Sequence, residues 1–205
     1  MKNKNYLILL TAFIFVFFFT LNRTSAQSGI SLSALHQKNM TASQDTAEQI
    51  ILSEGQAAPL FVLPDQNNTK HSIKEYRGKW VVLYFYPKDM TPGCTTEACN
   101  FRDSFSSFED RGAVILGVSK DNIKSHLEFS GKYQLPFTLL SDEQGTVCED
   151  YGVWIKKTVR GKTFMGINRS TFLIDPEGKI AKIYTPVDVD SHIQEVLEDI
   201  KLLSE

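Results

Sequence analysis

The chain has 205 residues, 42% of them hydrophobic and 22% charged, and its 22 Lys and Arg against 24 Asp and Glu leave a net charge of −2. That length suits one domain with extensions. The slightly acidic balance gives no electrostatic footprint for nucleic acid or for an anionic membrane, and neither is expected as a partner.

Residues 1–26 read as a secretory signal. Lys2 and Lys4 form a basic start, residues 6–21 are an uncharged run dense in Phe, Leu and Ile, and Ala26 follows small Thr24 at a plausible cleavage position. The alternative is an uncleaved anchor helix, but sixteen residues fall short of the roughly 20 that a membrane span wants. Either way the remainder is expected outside the cytoplasm, and cleavage would leave no stable membrane association. Without its three basic residues the chain keeps 19 Lys and Arg against 24 Asp and Glu, a net of −5. Residues 27–52, rich in Ser, Thr, Gln and Asn, read as a linker or weakly ordered arm, and residues 53–205 as the domain.

Within that domain the first strand is expected at residues 61–63, closed by the turn-forming run Pro64 to Asn68. Trp80-Val81-Val82-Leu83-Tyr84-Phe85-Tyr86 is a continuous apolar run, the mark of a strand covered on both faces. A helix is predicted from Pro92 to about Glu109, then a strand at 114–118, a helix at 122–132, a strand at 137–140 and a short helix at 147–151. Residues 171–174 and 179–184 pair as a hairpin across Asp175-Pro176-Glu177-Gly178. A last helix over 191–203 carries Ile193, Val196, Leu197 and Ile200 on one face. This order describes an α/β sandwich with a mixed central sheet flanked by helices, without choosing among folds that share it.

The chemistry concentrates where the helix follows the most buried strand. Thr91 can cap that helix, and Pro92 suits its first position, where a missing N–H has no intrahelical partner to lose. Cys94 then lies in the first turn, where free backbone N–H groups and the positive end of the helix dipole favour a thiolate. Cys94, Cys99 and Cys148 are the only cysteines, an odd count that fits one bridge and one free thiol. In an oxidising compartment a fixed structural bridge between Cys94 and Cys99 is the plain alternative to a redox pair. On a regular helix, five residues rise about 7.5 Å and turn about 140°, which puts the two Cα atoms roughly 8 to 9 Å apart, beyond the disulfide limit of about 7 Å. Bridge and helix therefore exclude one another, and a reversible cycle would need local unwinding. His36, His71, His126 and His192 are scattered in sequence, so a Cys–His pair would depend on folding alone.

The motif residues resemble a known family. Pro87, Thr91 and Cys94 fit the P-x-x-x-T-x-x-C signature of peroxiredoxins, and the string from Phe85 to Cys99 resembles the peroxiredoxin Q, or bacterioferritin comigratory protein, branch. Tyr151-Gly152-Val153-Trp154 and the run from Gly166 to Gly178 add to the match, which spans about residues 53–203. The resemblance implies a thioredoxin-like fold and a thiol peroxidase that needs neither cofactor nor metal. It implies Cys94 as the peroxidatic cysteine, oxidised by a hydroperoxide to a sulfenic acid. Cys99 would be the resolving cysteine that closes a redox disulfide with it. Thr91 would place its hydroxyl on the thiolate, Arg169 would stabilise thiolate and developing oxygen charge, and Pro87 would shape and dry the pocket. A thioredoxin-like reductant, exported here, would regenerate a monomeric enzyme.

Each residue also has a plain reading: Thr91 a cap, Pro87 a strand terminator, Arg169 a solvated charge. Glu97 is left outside the core site as a first-turn carboxylate favoured by the dipole. Trp154 is assigned to packing, and Cys148 to a small apolar position in a helix. Two rival functions remain: a thiol–disulfide exchange protein on the same fold, and a copper-binding module.

Overall fold

The computed structural model describes residues 50–205; the expected signal and most of the expected linker lie outside the described residues. The chain order begins with β1 (Val62–Pro64), β2 (Lys70–Ser72) and a 3₁₀ turn over Ile73–Tyr76. It continues through β3 (Trp80–Phe85), α1 (Pro92–Asp103), α2 (Phe105–Glu109), β4 (Ala113–Ser119), α3 (Ile123–Tyr133), β5 (Thr138–Ser141) and α4 (Thr146–Asp150). The hairpin β6 (Trp154–Val159) and β7 (Lys162–Ile167) precedes β8 (Ser170–Ile174), β9 (Ile180–Tyr184) and α5 (His192–Leu203).

The central sheet is five-stranded in the order β5-β4-β3-β8-β9. β3 runs parallel to β4, and β4 to β5; β3 to β8 and β8 to β9 are antiparallel. The sheet is therefore mixed, with helices on its flanks. β3 is central, and its side chains divide by the two-residue period of a strand. Trp80, Val82, Tyr84 and Tyr86 enter one core with Cys94, Phe101, Phe129 and the inner face of α5. Val81, Leu83 and Phe85 enter the other with Leu63, Val147, Tyr151 and Phe172. Both faces of β3 are covered, which explains the unbroken apolar run.

Two glycine positions follow from close packing. A Cβ on Gly117 of β4 would stand 2.7 Å from the Tyr84 ring and 2.8 Å from Leu139 Cδ2, so the sheet tolerates no side chain there. In the β6–β7 turn, Arg160 and Gly161 both have positive φ (51° and 77°), the left-handed pair that a two-residue hairpin requires.

The structure corrects the helix expected to run unbroken from Pro92 to about Glu109. Ser104 leaves helical geometry (φ −104°, ψ 8°) and separates α1 from α2; its short polar side chain makes serine a weak member of a helix interior. The first strand is Val62–Pro64 rather than 61–63. β2, and the whole β6–β7 hairpin, had no counterpart in the sequence reading. Its turn is Arg160-Gly161 rather than the Asn-Gly or Asp-Gly that announces such hairpins.

Candidate active site

β3 hands the chain through a six-residue loop to α1, and the site is built on that junction. Thr91 is the N-cap with extended backbone (φ −79°, ψ 149°) and Pro92 opens the helix. The Thr91 carbonyl accepts the first helical bond from Thr95 N (2.9 Å). Its hydroxyl does not close the cap; it donates to the Lys88 carbonyl at 2.9 Å and so fixes the loop. Pro87 is exposed in the same loop.

The inner face of α1 carries Cys94, Glu97, Ala98 and Phe101, spaced i, i+3, i+4 and i+7 as a helix facing a core requires. This phase turns Cys94 (1% exposed) inward with its sulfur at the start of the helix. Arg169, between β7 and β8, reaches it across 75 residues of sequence. Arg169 Nη2 lies 3.3 Å from Cys94 Sγ while Nη1 pairs with Glu97 Oε2. A Cβ at Gly93 would stand 3.4 Å from Arg169 Nη2, so a glycine beside Cys94 leaves the guanidinium room to approach. Arg169 is therefore no solvated surface charge. Glu97 lies in the second turn rather than the first, is 1% exposed, and belongs to the site.

Cys99, 140° further round the helix by helical geometry, is partly exposed and free, as are Cys94 and Cys148. α1 is intact through both Cys94 and Cys99. Beyond Cys99 the helix is tied down: Asn100 Nδ2 donates to the Val189 carbonyl (3.0 Å), Arg102 Nη1 to the Tyr133 carbonyl (2.9 Å), and Phe101 is fully buried.

A profile of the AhpC/TSA family matches residues 54–183. The chain belongs to the AhpC/TSA family. The bcp protein of Coxiella burnetii is 54% identical to it over 143 residues, covering 70% of this chain and 95% of that one. Peroxiredoxin Bcp of Bacillus subtilis is 50% identical over 151 residues, 74% and 96% of the two chains. A solved structure concerned with alkyl peroxide reduction by the bacterioferritin comigratory protein of Xanthomonas campestris superposes with a TM-score of 0.70 at 37% identity, covering 75% of this chain and all of that one. The fold is thus thioredoxin-like and this peroxiredoxin is a thiol-dependent peroxidase of the Bcp branch.

The peroxiredoxin site holds two further arrangements that the sequence reading missed. The first is a buried latch under the Cys94 loop. Asp89 (4% exposed) accepts from Tyr86 Oη (2.8 Å) and Ser125 Oγ (2.7 Å) and faces His126 Nδ1 at 2.9 Å. His126, fully buried on α3, has its Nε2 3.2 Å from the Leu140 carbonyl. Both ring nitrogens of His126 thus face oxygen partners inside the core. The Asp89 backbone N–H donates in turn to Asp121 Oδ2 (2.8 Å), which Ser119 Oγ also holds. The loop before Cys94 is thereby bolted to β4 and α3. Removing His126 leaves the buried Asp89 oxygen and the Leu140 carbonyl each short of a partner, at a cost of about 1–3 kcal/mol per group. His126→Leu is accordingly expected to lower the midpoint of urea unfolding sharply, and an unchanged midpoint would deny the latch any structural weight. Among the described residues, no histidine hydrogen-bonds to Cys94: His71 faces Tyr76 and Asp65, and His192 faces Thr171.

The second is the Glu97 carboxyl. Burial pushes it up to about 7 while Arg169 opposes, and its Oε1 is buried without a partner, as are Tyr84 Oη and Thr95 Oγ1. For Arg169 itself burial acts downward, but Glu97 and Cys94 outweigh it and hold the guanidinium above its ordinary range. The linkage has a definite sign. The unfolded carboxyl loses its proton near 4.5 while the folded one keeps it to about 7, so folded stability falls as pH rises through that window. The loss amounts to roughly 2–3 kcal/mol. Glu97→Gln should flatten this slope: urea unfolding at pH 5 and pH 8 should show the wild type losing stability relative to the variant, whereas parallel losses would mean that Glu97 does not titrate in the window.

Cys148 fills a fully buried position in α4, where its N–H donates to Asp142 Oδ2 at 2.8 Å. Burial pushes its thiol well up, so it packs as a small inert side chain.

Proposed function

We propose that Cys94 is the peroxidatic cysteine, that Cys99 resolves it, and that a thioredoxin-like dithiol protein restores the pair. The reading rests on the guanidinium 3.3 Å from a buried sulfur at the start of a helix. That arrangement favours a thiolate and offers fixed N–H donors where charge develops on the departing peroxide oxygen. The Cys94 thiolate attacks one peroxide oxygen; the S–O bond forms as O–O breaks, and the second oxygen leaves with a proton as water or alcohol. Cys99 sulfur then attacks the sulfenic acid, expelling water and closing the disulfide. Two electrons from the external dithiol reopen it.

Thr91 and Pro87 enter this proposal through the loop they occupy. The Thr91 hydroxyl would rotate from the Lys88 carbonyl to Cys94 when peroxide arrives, and Pro87 would shape the approach. The bridge requires α1 to unwind at its first turns. The ties at Asn100, Phe101 and Arg102 argue that unwinding stops near Cys99, leaving the C-terminal half of the helix seated. Export through residues 1–26, cleavage near Ala26 and a monomeric mature enzyme complete the proposal; mass spectrometry of the N-terminus of secreted protein tests the leader.

The test of function is direct. The reduced protein is mixed with stoichiometric hydrogen peroxide, the oxidation is followed by stopped flow, and the product is mapped by mass spectrometry. Rapid oxidation ending in a Cys94–Cys99 bridge is expected. Slow, unselective oxidation would remove the assignment and favour thiol–disulfide exchange.

A further inference from the structure

The β6–β7 ribbon is chemically unlike the rest of the chain. Between Trp154 and Ile167 lie Lys156, Lys157, Arg160 and Lys162 and no acidic residue, whereas the remaining sequence sets 18 Lys and Arg against 24 Asp and Glu. The ribbon forms its own two-stranded sheet, with no strand pairing to the central one. Its outer part presents Val159 (52% exposed), Phe164 (49%) and Met165 (47%) among the charges. Among the described residues, none of Lys156, Arg160 and Lys162 takes part in an ion pair. An isolated two-stranded ribbon is marginal in water, and exposed apolar side chains amid unneutralised like charge are a poor arrangement for a surface with no partner.

The base of the ribbon is fastened beside the reacting sulfur. Asn168 N–H donates to the Val153 carbonyl (2.7 Å), Lys157 Nζ donates to the Ile167 carbonyl (2.7 Å), and Arg169 on Cys94 follows two residues after β7. Burial and the Arg169 charge both lower the basicity of Lys157, so this ammonium shares the electrostatic environment of the site. A body resting on the ribbon is thereby brought up to Cys94.

We propose that the β6–β7 ribbon is the docking surface for the dithiol reductant, a protein with an acidic, apolar-centred surface around its own thiols. This rests on the peroxidase reading given above. The positive ribbon steers an acidic partner in an otherwise acidic molecule that would repel it, and Val159 and Phe164, which share one face of the ribbon with Lys162, supply the apolar contact at the centre. The docked partner's thiolate attacks one sulfur of the Cys94–Cys99 bond, giving a mixed disulfide and one free thiolate. Its second thiol displaces that mixed disulfide, so the partner leaves oxidised and the peroxiredoxin leaves with two thiols, two electrons having passed.

The test compares wild type with Lys156→Glu/Arg160→Glu/Lys162→Glu, all exposed positions. Peroxide-oxidised protein is reduced either by an acidic bacterial thioredoxin or by dithiothreitol, over a range of salt. With thioredoxin, the wild-type rate should fall as salt rises, and at low salt the variant should be slower by about tenfold or more. With dithiothreitol, and in the oxidation by hydrogen peroxide, the two proteins should agree within about twofold, since small uncharged reactants feel little steering. Equal thioredoxin rates overturn the docking surface while leaving the peroxidase intact. Equal thioredoxin rates combined with wild-type-only binding to phosphatidylglycerol vesicles overturn it in favour of a lipid surface. Failure of dithiothreitol to support any turnover overturns the peroxidase reading, and the docking surface with it.

Discussion

Cys94→Ser is expected to consume no hydrogen peroxide beyond background, and Cys99→Ser to react once at close to the wild-type rate and then stop. The difference follows from where the two sulfurs sit. Cys94 is 1% exposed with Arg169 Nη2 3.3 Å from its sulfur, so the group that attacks and the donor that steadies the departing oxygen are already assembled. A serine hydroxyl cannot replace that sulfur, because it is a far weaker nucleophile and is not ionised near neutrality. Cys99 lies on the flank of α1, outside this arrangement, and its loss leaves the first step untouched. What it would remove is the proposed condensation that expels water from the sulfenic acid. The stalled sulfenic acid is then exposed to a second equivalent of peroxide and proceeds to sulfinic acid, an irreversible state outside specialised repair. Intact-mass analysis of Cys99→Ser after increasing peroxide should show first one and then two added oxygens on Cys94. Normal multiple turnover of Cys99→Ser with dithiothreitol would assign resolution to Cys148, to a second molecule or to direct reduction. Burial of Cys148 and the upward push on its thiol argue against the first of these.

The proposed Cys94–Cys99 bridge requires the helix to open, and its two halves differ in what opening breaks. The first turns lose backbone bonds such as Thr95 N–H to Thr91 O (2.9 Å) and the inward seat of Glu97. The second half would also have to release fully buried Phe101 and the ties from Asn100 and Arg102. Local opening draws on the less stable part of a structure, so the boundary falls near Cys99. The Asp89–His126 latch lies on the other side of Cys94. The segment around Cys94 is therefore flanked by two fixed points, and the proposed change of state would be confined between them.

Much of this was legible in the sequence, and what was not has physical causes. β3 announced itself because both of its faces are covered, and the start of α1 because Thr91-Pro92 has one evident use. The inward turn of Glu97 was also available, since Cys94, Glu97, Ala98 and Phe101 already have helical spacing; assigning Glu97 to the dipole overlooked that phase. Arg169 is different. Nothing local to it distinguishes a strand-edge arginine from a solvated one, and only the resemblance put it on a sulfur 75 residues away. The latch was invisible for the same reason: Asp89 and His126 are 37 residues apart, and each alone is an ordinary polar residue. The β6–β7 hairpin was missed because its turn uses Arg160 at positive φ, a position for which arginine carries no signal.

Arg169→Met should slow the reaction of Cys94 with hydrogen peroxide by about two to three powers of ten, the loss seen when one fixed donor is taken from an oxyanion site. Two roles would contribute, and they separate experimentally. If Arg169 only favours the thiolate, the variant loses reactivity toward any electrophile, and alkylation by iodoacetamide slows as much as oxidation does. If it also binds the oxygens of the breaking O–O bond, oxidation slows far more than alkylation. The geometry favours the second outcome. The guanidinium is a rigid fork whose one arm is committed to Glu97 and whose other arm points to Cys94, so the donor is fixed before peroxide arrives and needs no reorganisation during the reaction. Arg169→Lys sharpens the test: it keeps the positive charge but has a single nitrogen that cannot serve Glu97 and the sulfur together. Alkylation should recover substantially in the lysine variant while peroxide oxidation stays depressed. Equal recovery of both would reduce Arg169 to a point charge and leave the orientation of peroxide to the backbone N–H groups at the start of α1.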